Sequence, residues 1–364
     1  MEQRVLKDYQ ELYSFLKEKN CRKILLVSGR AMEDEKLNSY FSSLDDIDVV
    51  RFSDYKPNPA YESCVQGTKL YLKENCDCII AIGGGSCMDT AKCIKLFANM
   101  DQDIDYLKQE IVANEIPFIA IPTTAGTGSE ATRFAIIYVN GNKQSISDYS
   151  CIPEAVLFDP SLLKNLPDYQ KKATMLDALS HAIESYWAVK ANDESRGYAD
   201  EAIRLVYQYK DSYLNNEEEG LAGMLKAAYI AGKAINITQT TAGHAMCYKI
   251  TSKYHAAHGH SVALVMTKLF PYVVEHTSDT NDPRGEGYLK DTLRKIAEAM
   301  GCEDAKEAAD RFNELVKELE MSVPKAEEGD YEVLRNSVNP DRLMNNPVSL
   351  NIETIDDLYH HILS

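Results

Sequence analysis

The 364-residue chain is predicted to carry an α/β N-terminal domain followed by an all-α C-terminal domain. Three observations predict this. Short apolar, β-rich runs recur up to about residue 160; helical stretches alternate with the first of them; beyond Pro167 helical patterns continue and no comparable apolar run appears. The length itself fits about two domains of ~150 residues each.

The strand candidates span 23–29, 47–52, 78–83, 118–122, 134–139 and 155–159. Several are unbroken apolar runs, as expected of strands covered on both faces. Helices over 58–73 and 86–98 separate them and give the alternation of a doubly wound sheet. Later helices are expected over 171–190, 194–214, 220–236, 260–276, 288–300 and 305–321, punctuated by connections such as Asn215-Asn216 and residues 281–285. The domains are therefore set at 1–162 and 163–364, with no internal repeat.

Hydrophobic residues make up 45% and charged residues 26% of the chain, an ordinary globular composition. With 56 acidic against 39 basic residues the net charge is −17, which argues against nucleic acid or an anionic membrane surface as a partner. A local basic pocket for a small anion remains compatible with it. The first residues have neither a basic nor an apolar leader segment, so no signal peptide is expected, and no apolar run approaches the ~20 residues of a membrane span. The nine cysteines are odd in number and scattered, as expected of free thiols in a reducing cytoplasm.

Two polar loops follow strands. In the first, Gly83, Gly84, Gly85 and Ser86 lie between a strand and a helix, with Asp89 in the helix's opening turns. Glycines allow close backbone approach and the helix start offers unpaired N–H groups, which is what a pyrophosphate needs; the same glycines also suit a tight strand-to-helix turn. In the second, residues 122–130, the hydroxyls of Thr123, Thr124 and Thr127 suit phosphate, ribose or nicotinamide, or else a helix N-cap with hydroxyls to spare.

Asp177 and His181 are four residues apart in a helical stretch, so both side chains can address one atom. Five of the eight histidines fall between 181 and 260. One carboxylate with three imidazoles suits iron or zinc with an open position for substrate. Spacing alone does not select among His244, His255, His258 and His260.

Taken in order, residues 83–92, 122–130, Asp159-Pro160, 177–184, 243–246, His258-Gly259 and 345–347 resemble the iron-containing (group III) alcohol dehydrogenase family over nearly the whole chain. The resemblance implies a dinucleotide-binding α/β domain, an all-helical metal- and substrate-binding domain, a metal in the cleft between them and, often, a dimer. This architecture is shared with dehydroquinate synthase. Position by position, it places the metal ligands on Asp177, His181, His244 and His258, and the pyrophosphate loop on residues 83–86. The nicotinamide and ribose contacts fall near Thr123, Thr124 and Thr127, with further cofactor contacts at Asn58 and Lys143. The implied metal is ferrous iron, with zinc also suited, and the cofactor is NADPH or NADH.

The chain departs from the family pattern twice. Where many NAD-using members carry an acidic residue after the first strand, it reads Ser28-Gly29-Arg30. Without that carboxylate a 2′-phosphate meets no repulsion, and Arg30 beside Gly29 favours NADPH. Where many members carry a further histidine, it has Tyr248. The run 242–252 resembles phosphonoacetaldehyde reductases, in which reading Lys249 and Arg133 hold a phosphonate. The implied reaction is direct hydride transfer between an aldehyde and a primary alcohol, best phosphonoacetaldehyde to 2-hydroxyethylphosphonate, with Tyr248 among the candidate proton donors. A butanol- or diol-type dehydrogenase is the alternative. A metal- and NAD-dependent carbon–oxygen lyase shares the architecture but not these sequence blocks.

Overall fold

In the computed structural model, which describes residues 3–338 and 340–364, the early apolar runs form a parallel sheet. It contains β1 (Arg4–Leu6), β2 (Lys23–Ser28), β3 (Asp48–Phe52), β4 (Cys78–Gly83) and β5 (Phe118–Pro122). Next in the chain, β6 (Phe134–Val139) and β7 (Asn142–Ser147) leave it as a separate antiparallel hairpin, and β8 (Ala155–Leu157) returns to it. The order is β1-β8-β5-β4-β2-β3. From β2 the chain steps outward to β3, then returns to β4 and steps the other way to β5, so the winding reverses beside β4.

Helices α1 (Tyr9–Glu18), α2 (Glu35–Ser42), α3 (Tyr61–Lys73) and α4 (Gly85–Phe97) cover the sheet. One core joins Leu12, Leu16 and Phe41 to Ile24, Ile80 and Ile121. Another gathers Cys64, Cys93 and Phe97 with Ala135, Ile137 and Cys151, so the hairpin serves as cover for α3 and α4. Lys92 is fully buried within this unit; its ammonium donates to Ser129 Oγ (2.9 Å), Thr132 O (2.8 Å) and Phe134 O (2.7 Å). Burial lowers its pKa, and these acceptors satisfy its protons.

The remaining chain is helical: α5 (Asp168–Trp187), α6 (Asp193–Leu214), α7 (Glu218–Thr238), α8 (Ala242–Tyr254), α9 (His258–Glu275), α10 (Glu286–Met300), α11 (Ala305–Glu318), α12 (Asp330–Asn336), α13 (Pro340–Met344) and α14 (Ile352–Ile362). It has no strand among the described residues, and among the described residues of the whole chain no helix is long and apolar enough to cross a membrane. All nine cysteines are buried free thiols.

Several expectations shift. The run 134–139 pairs with polar β7 instead of extending the main sheet. Helix α3 begins at Tyr61, not at 58, because Asn58 takes a φ of +58° and Ala60 pairs with Tyr138. The division between the compact units falls after Leu166 rather than after 162, since Leu162 packs on the first core. Residues Ala125–Thr127 belong with the helical unit.

Candidate functional site

In the α/β unit the candidate cofactor residues gather where the winding reverses. Gly29 follows β2, residues 83–86 link β4 to α4, and Thr123 and Thr124 follow β5, all at the C-terminal ends of neighbouring parallel strands. The turn at Gly83 admits no side chain: a Cβ there would lie 2.5 Å from Cys87 Cβ. One on Gly84 would lie 3.0 Å from Thr124 Oγ1. Gly84, at the N-cap of α4, has no side chain with which to cap the helix start. The Asn58 N–H donates to Ser86 Oγ (3.2 Å), and the Tyr138 N–H donates to Pro59 O (2.9 Å), which brings the hairpin beside this loop. Lys143 stands opposite Tyr138 on that hairpin, within electrostatic reach of Asp89.

Asp89 has its carboxylate occupied by Ser129 Oγ (2.9 Å); burial pushes its pKa up against the pull of Lys92. Arg30 is exposed in the 3₁₀ turn Arg30–Glu33. Arg133 donates to Ser147 Oγ and Tyr149 OH, both at 3.2 Å, and its guanidinium lies over the rings of Phe134 and Tyr149. Sequence reasoning missed Tyr55, whose hydroxyl lies 3.3 Å from where a Cβ on Gly29 would be and bonds to Cys87. Its place near β3 gives no local signal of this.

In the helical unit, donor atoms of Asp177, His244 and His258 lie within 4.8 Å of one another. Asp177 Oδ1 is 3.4 Å from His244 Nε2 and 3.9 Å from His258 Nε2. The three residues come from different helices: mid-α5, the first turn of α8 and the start of α9. Gly259 permits this convergence, because a Cβ there would lie 1.9 Å from Ala173 O and 2.8 Å from Asp177 Cβ. His181 lies one turn beyond Asp177 but stacks on His244, with centroids 4.3 Å apart and planes at 12°, and is outside the triplet. Of the other histidine candidates, His255 ends α8 in left-handed conformation and His260 Nδ1 meets Tyr169 OH at 2.9 Å.

Asp177 Oδ1, His181 Nδ1 and His244 Nε2 are buried without a hydrogen-bond partner. Buried polar atoms are seldom left so, and oxygen and imidazole donors converging this closely fit a divalent transition metal. Burial pushes the Asp177 carboxyl up, but the imidazoles of His181, His258 and His244 outweigh it and hold it well below the usual range. Burial lowers His181 to about 4. At His244 burial is overcome by the Glu184 and Asp177 carboxylates, which lift it to about 10.

Glu184 is fully buried on α5, one turn past His181. Its Oε1 accepts from Thr241 Oγ (2.5 Å) and from the N–H groups of Thr241 (3.1 Å) and Gly243 (2.8 Å). Its Oε2 is bonded to His244 Nδ1. The sequence hints were its helical spacing from Asp177 and His181 and its place at the end of the 177–184 stretch. The Tyr248 ring stacks on His258, with centroids 5.8 Å apart and planes at 6°. Lys249 beside it is half-buried and makes no ion pair among the described residues.

A parallel α/β unit with a glycine loop at its winding reversal, followed in the chain by a helical unit carrying a carboxylate–imidazole triplet, is the class that the sequence motifs imply. The chain belongs to the iron-containing alcohol dehydrogenase family, matching it over residues 7–160 and matching its C-terminal region over residues 171–363. It is 30% identical to alcohol dehydrogenase 4 of Saccharomyces cerevisiae, covering 95% of this chain and 92% of that one. It is 31% identical to aldehyde-alcohol dehydrogenase 2 of Entamoeba histolytica over 83% of this chain, but spans only 37% of that relative's length. A crystal structure of sulfoacetaldehyde reductase from Bifidobacterium kashiwanohense in complex with NAD+ superposes with a TM-score of 0.89 at 25% identity, covering 99% of this chain and 96% of that one.

Proposed function

We propose that the chain is a metal-dependent NAD(P)H oxidoreductase that reduces a short aldehyde with an anionic head group to the primary alcohol. The best pair is phosphonoacetaldehyde and 2-hydroxyethylphosphonate. The carrying observation is the Asp177–His244–His258 triplet, in which Asp177 and His244 are buried and His258 is half-buried, with Tyr248 stacked on His258 and Lys249 next to Tyr248 in the chain. A divalent metal held there and by His181, ferrous iron or zinc, supplies a Lewis acid for the carbonyl oxygen, and the nicotinamide supplies the hydride.

The chain's own groups do the rest. The N–H groups at residues 83–86 bind the pyrophosphate. Thr123, Thr124 and Thr127 bond the ribose and the nicotinamide amide, with Asn58 and Lys143 as further contacts. Arg30, exposed after β2, pairs with a 2′-phosphate and favours NADPH. The Tyr248 phenol gives the alcohol its proton and regains one from solvent. Lys249 holds the anionic head. Arg133, whose guanidinium donates to Ser147 and Tyr149, is the second basic group of this reading.

The sulfoacetaldehyde reductase neighbour supports this reading, since a sulfonate and a phosphonate place similar oxyanions on a two-carbon aldehyde. Relatives named as alcohol dehydrogenases favour a second reading, a butanol- or diol-type enzyme without head-group selection. Initial rates with NADPH and NADH, after loading with ferrous iron, decide between them on phosphonoacetaldehyde, sulfoacetaldehyde and propanal. The expected result is a clear kcat/KM preference for an anionic aldehyde and for NADPH. Lys249→Ala is expected to raise KM for that aldehyde about tenfold or more, the worth of one charged hydrogen bond, and to leave propanal nearly unchanged. Equal changes for both substrates would return the protein to the second reading.

A further inference from the structure

We propose that Glu184 is a positioning residue for the metal centre, setting the tautomer of His244 and the start of α8 with one carboxylate. The proposal rests on the metal reading of Asp177, His244 and His258. Glu184 is fully buried, so its charge must be met by the donors around it. Its two oxygens meet them in two different ways.

Oε1 gathers the start of α8. The N–H groups of Thr241, Gly243 and His244 point to it at 3.1, 2.8 and 3.4 Å. A helix start leaves such groups without partners, and Thr241 at the N-cap satisfies none of them with its own side chain. The cap comes instead from α5, and its negative charge sits at the positive end of the α8 dipole. Gly243 makes room: a Cβ there would lie 2.9 Å from Oε1.

Oε2 accepts a hydrogen bond from the His244 Nδ1–H. An imidazole that donates from Nδ1 ligates through Nε2, where a bound metal takes the place of the proton. Nε2 is the atom facing Asp177 Oδ1, and it is buried without a hydrogen-bond partner. Backbone and ring of His244 are thus held by the same side chain, and the ring is oriented with Nε2 toward Asp177. A carboxylate in this place also makes the imidazole a stronger ligand.

Glu184→Gln tests this at constant shape. The amide oxygen can still accept from the α8 N–H groups, but the amide NH2 then faces Nδ1. His244 must accept there and carry its proton on Nε2, where it blocks ligation. In the full-length chain, Co2+ binding is followed by visible absorption and by competition with a chelator. One Co2+ per chain is expected for the wild type. Glu184→Gln is expected to bind about 10- to 100-fold more weakly with shifted absorption bands, while far-ultraviolet circular dichroism stays native. Should that variant not fold, histidine 15N NMR of the zinc-loaded wild type gives the answer: a protected Nδ1 proton on His244 supports the proposal and its absence overturns it. Wild-type affinity and bands in folded Glu184→Gln overturn the positioning role and leave the metal reading standing. A wild type that takes up no Co2+, or an Asp177→Ala chain that binds it equally well, overturns both.

Discussion

Asp177→Ala is expected to abolish stoichiometric metal binding and to lower kcat/KM by roughly a thousandfold or more, the several kcal/mol that a Lewis acid contributes to such a reaction. Asp177 is the one carboxylate of the triplet and almost fully buried at 2% exposure. Without it, the imidazoles of His181, His244 and His258 face a divalent ion with no carboxylate among the ligands. Elemental analysis after dialysis, alongside steady-state rates, reads both effects. Full metal content with a rate near that of the wild type would show that this triplet does not hold the metal.

Gly259→Ala is expected to cost about 3 kcal/mol of stability, the upper end of ordinary overpacking, and to empty the site without removing a donor. The added carbon would meet Ala173 O at 1.9 Å, and a backbone carbonyl of α5 cannot turn aside as a side-chain tip can. Helix α9 must back away from α5, taking the neighbouring His258 from Asp177. Gly287→Ala is the matched control, since a Cβ on that α10 residue meets nothing within 4 Å. It should stabilise slightly, by up to about 1 kcal/mol, and keep its metal. Denaturant melts and metal content of the two variants separate close approach from a general intolerance of alanine.

Strands β4 and β5 were legible because their apolar runs are buried along their whole length. The long helices were legible because their patterning persists over several turns. Strand β7, with the polar sequence Asn-Lys-Gln-Ser-Ile-Ser, gave no such sign; its pairing with β6 makes it a strand. Helix α8 was visible only as a motif, because Glu184, some sixty residues upstream, caps its start. At the site, spacing brought out Asp177, and the family resemblance picked His244 and His258 from four histidine candidates. The four-residue spacing could not show that the His181 ring turns onto His244, nor that Tyr55 comes to lie against Gly29. Each of these is decided by how distant segments pack.

The burial of every cysteine gives the protein a chemical clock for its own breathing. A native chain should resist thiol alkylation, and each site should be labelled only as fast as its surroundings open. Cys21 and Cys78 time the layer beneath α1 and α2, Cys64, Cys93 and Cys151 time the layer beneath the hairpin, and Cys247 times the helix that carries His244. Mass-resolved labelling would then rank these regions by local stability in the unmodified wild-type sequence.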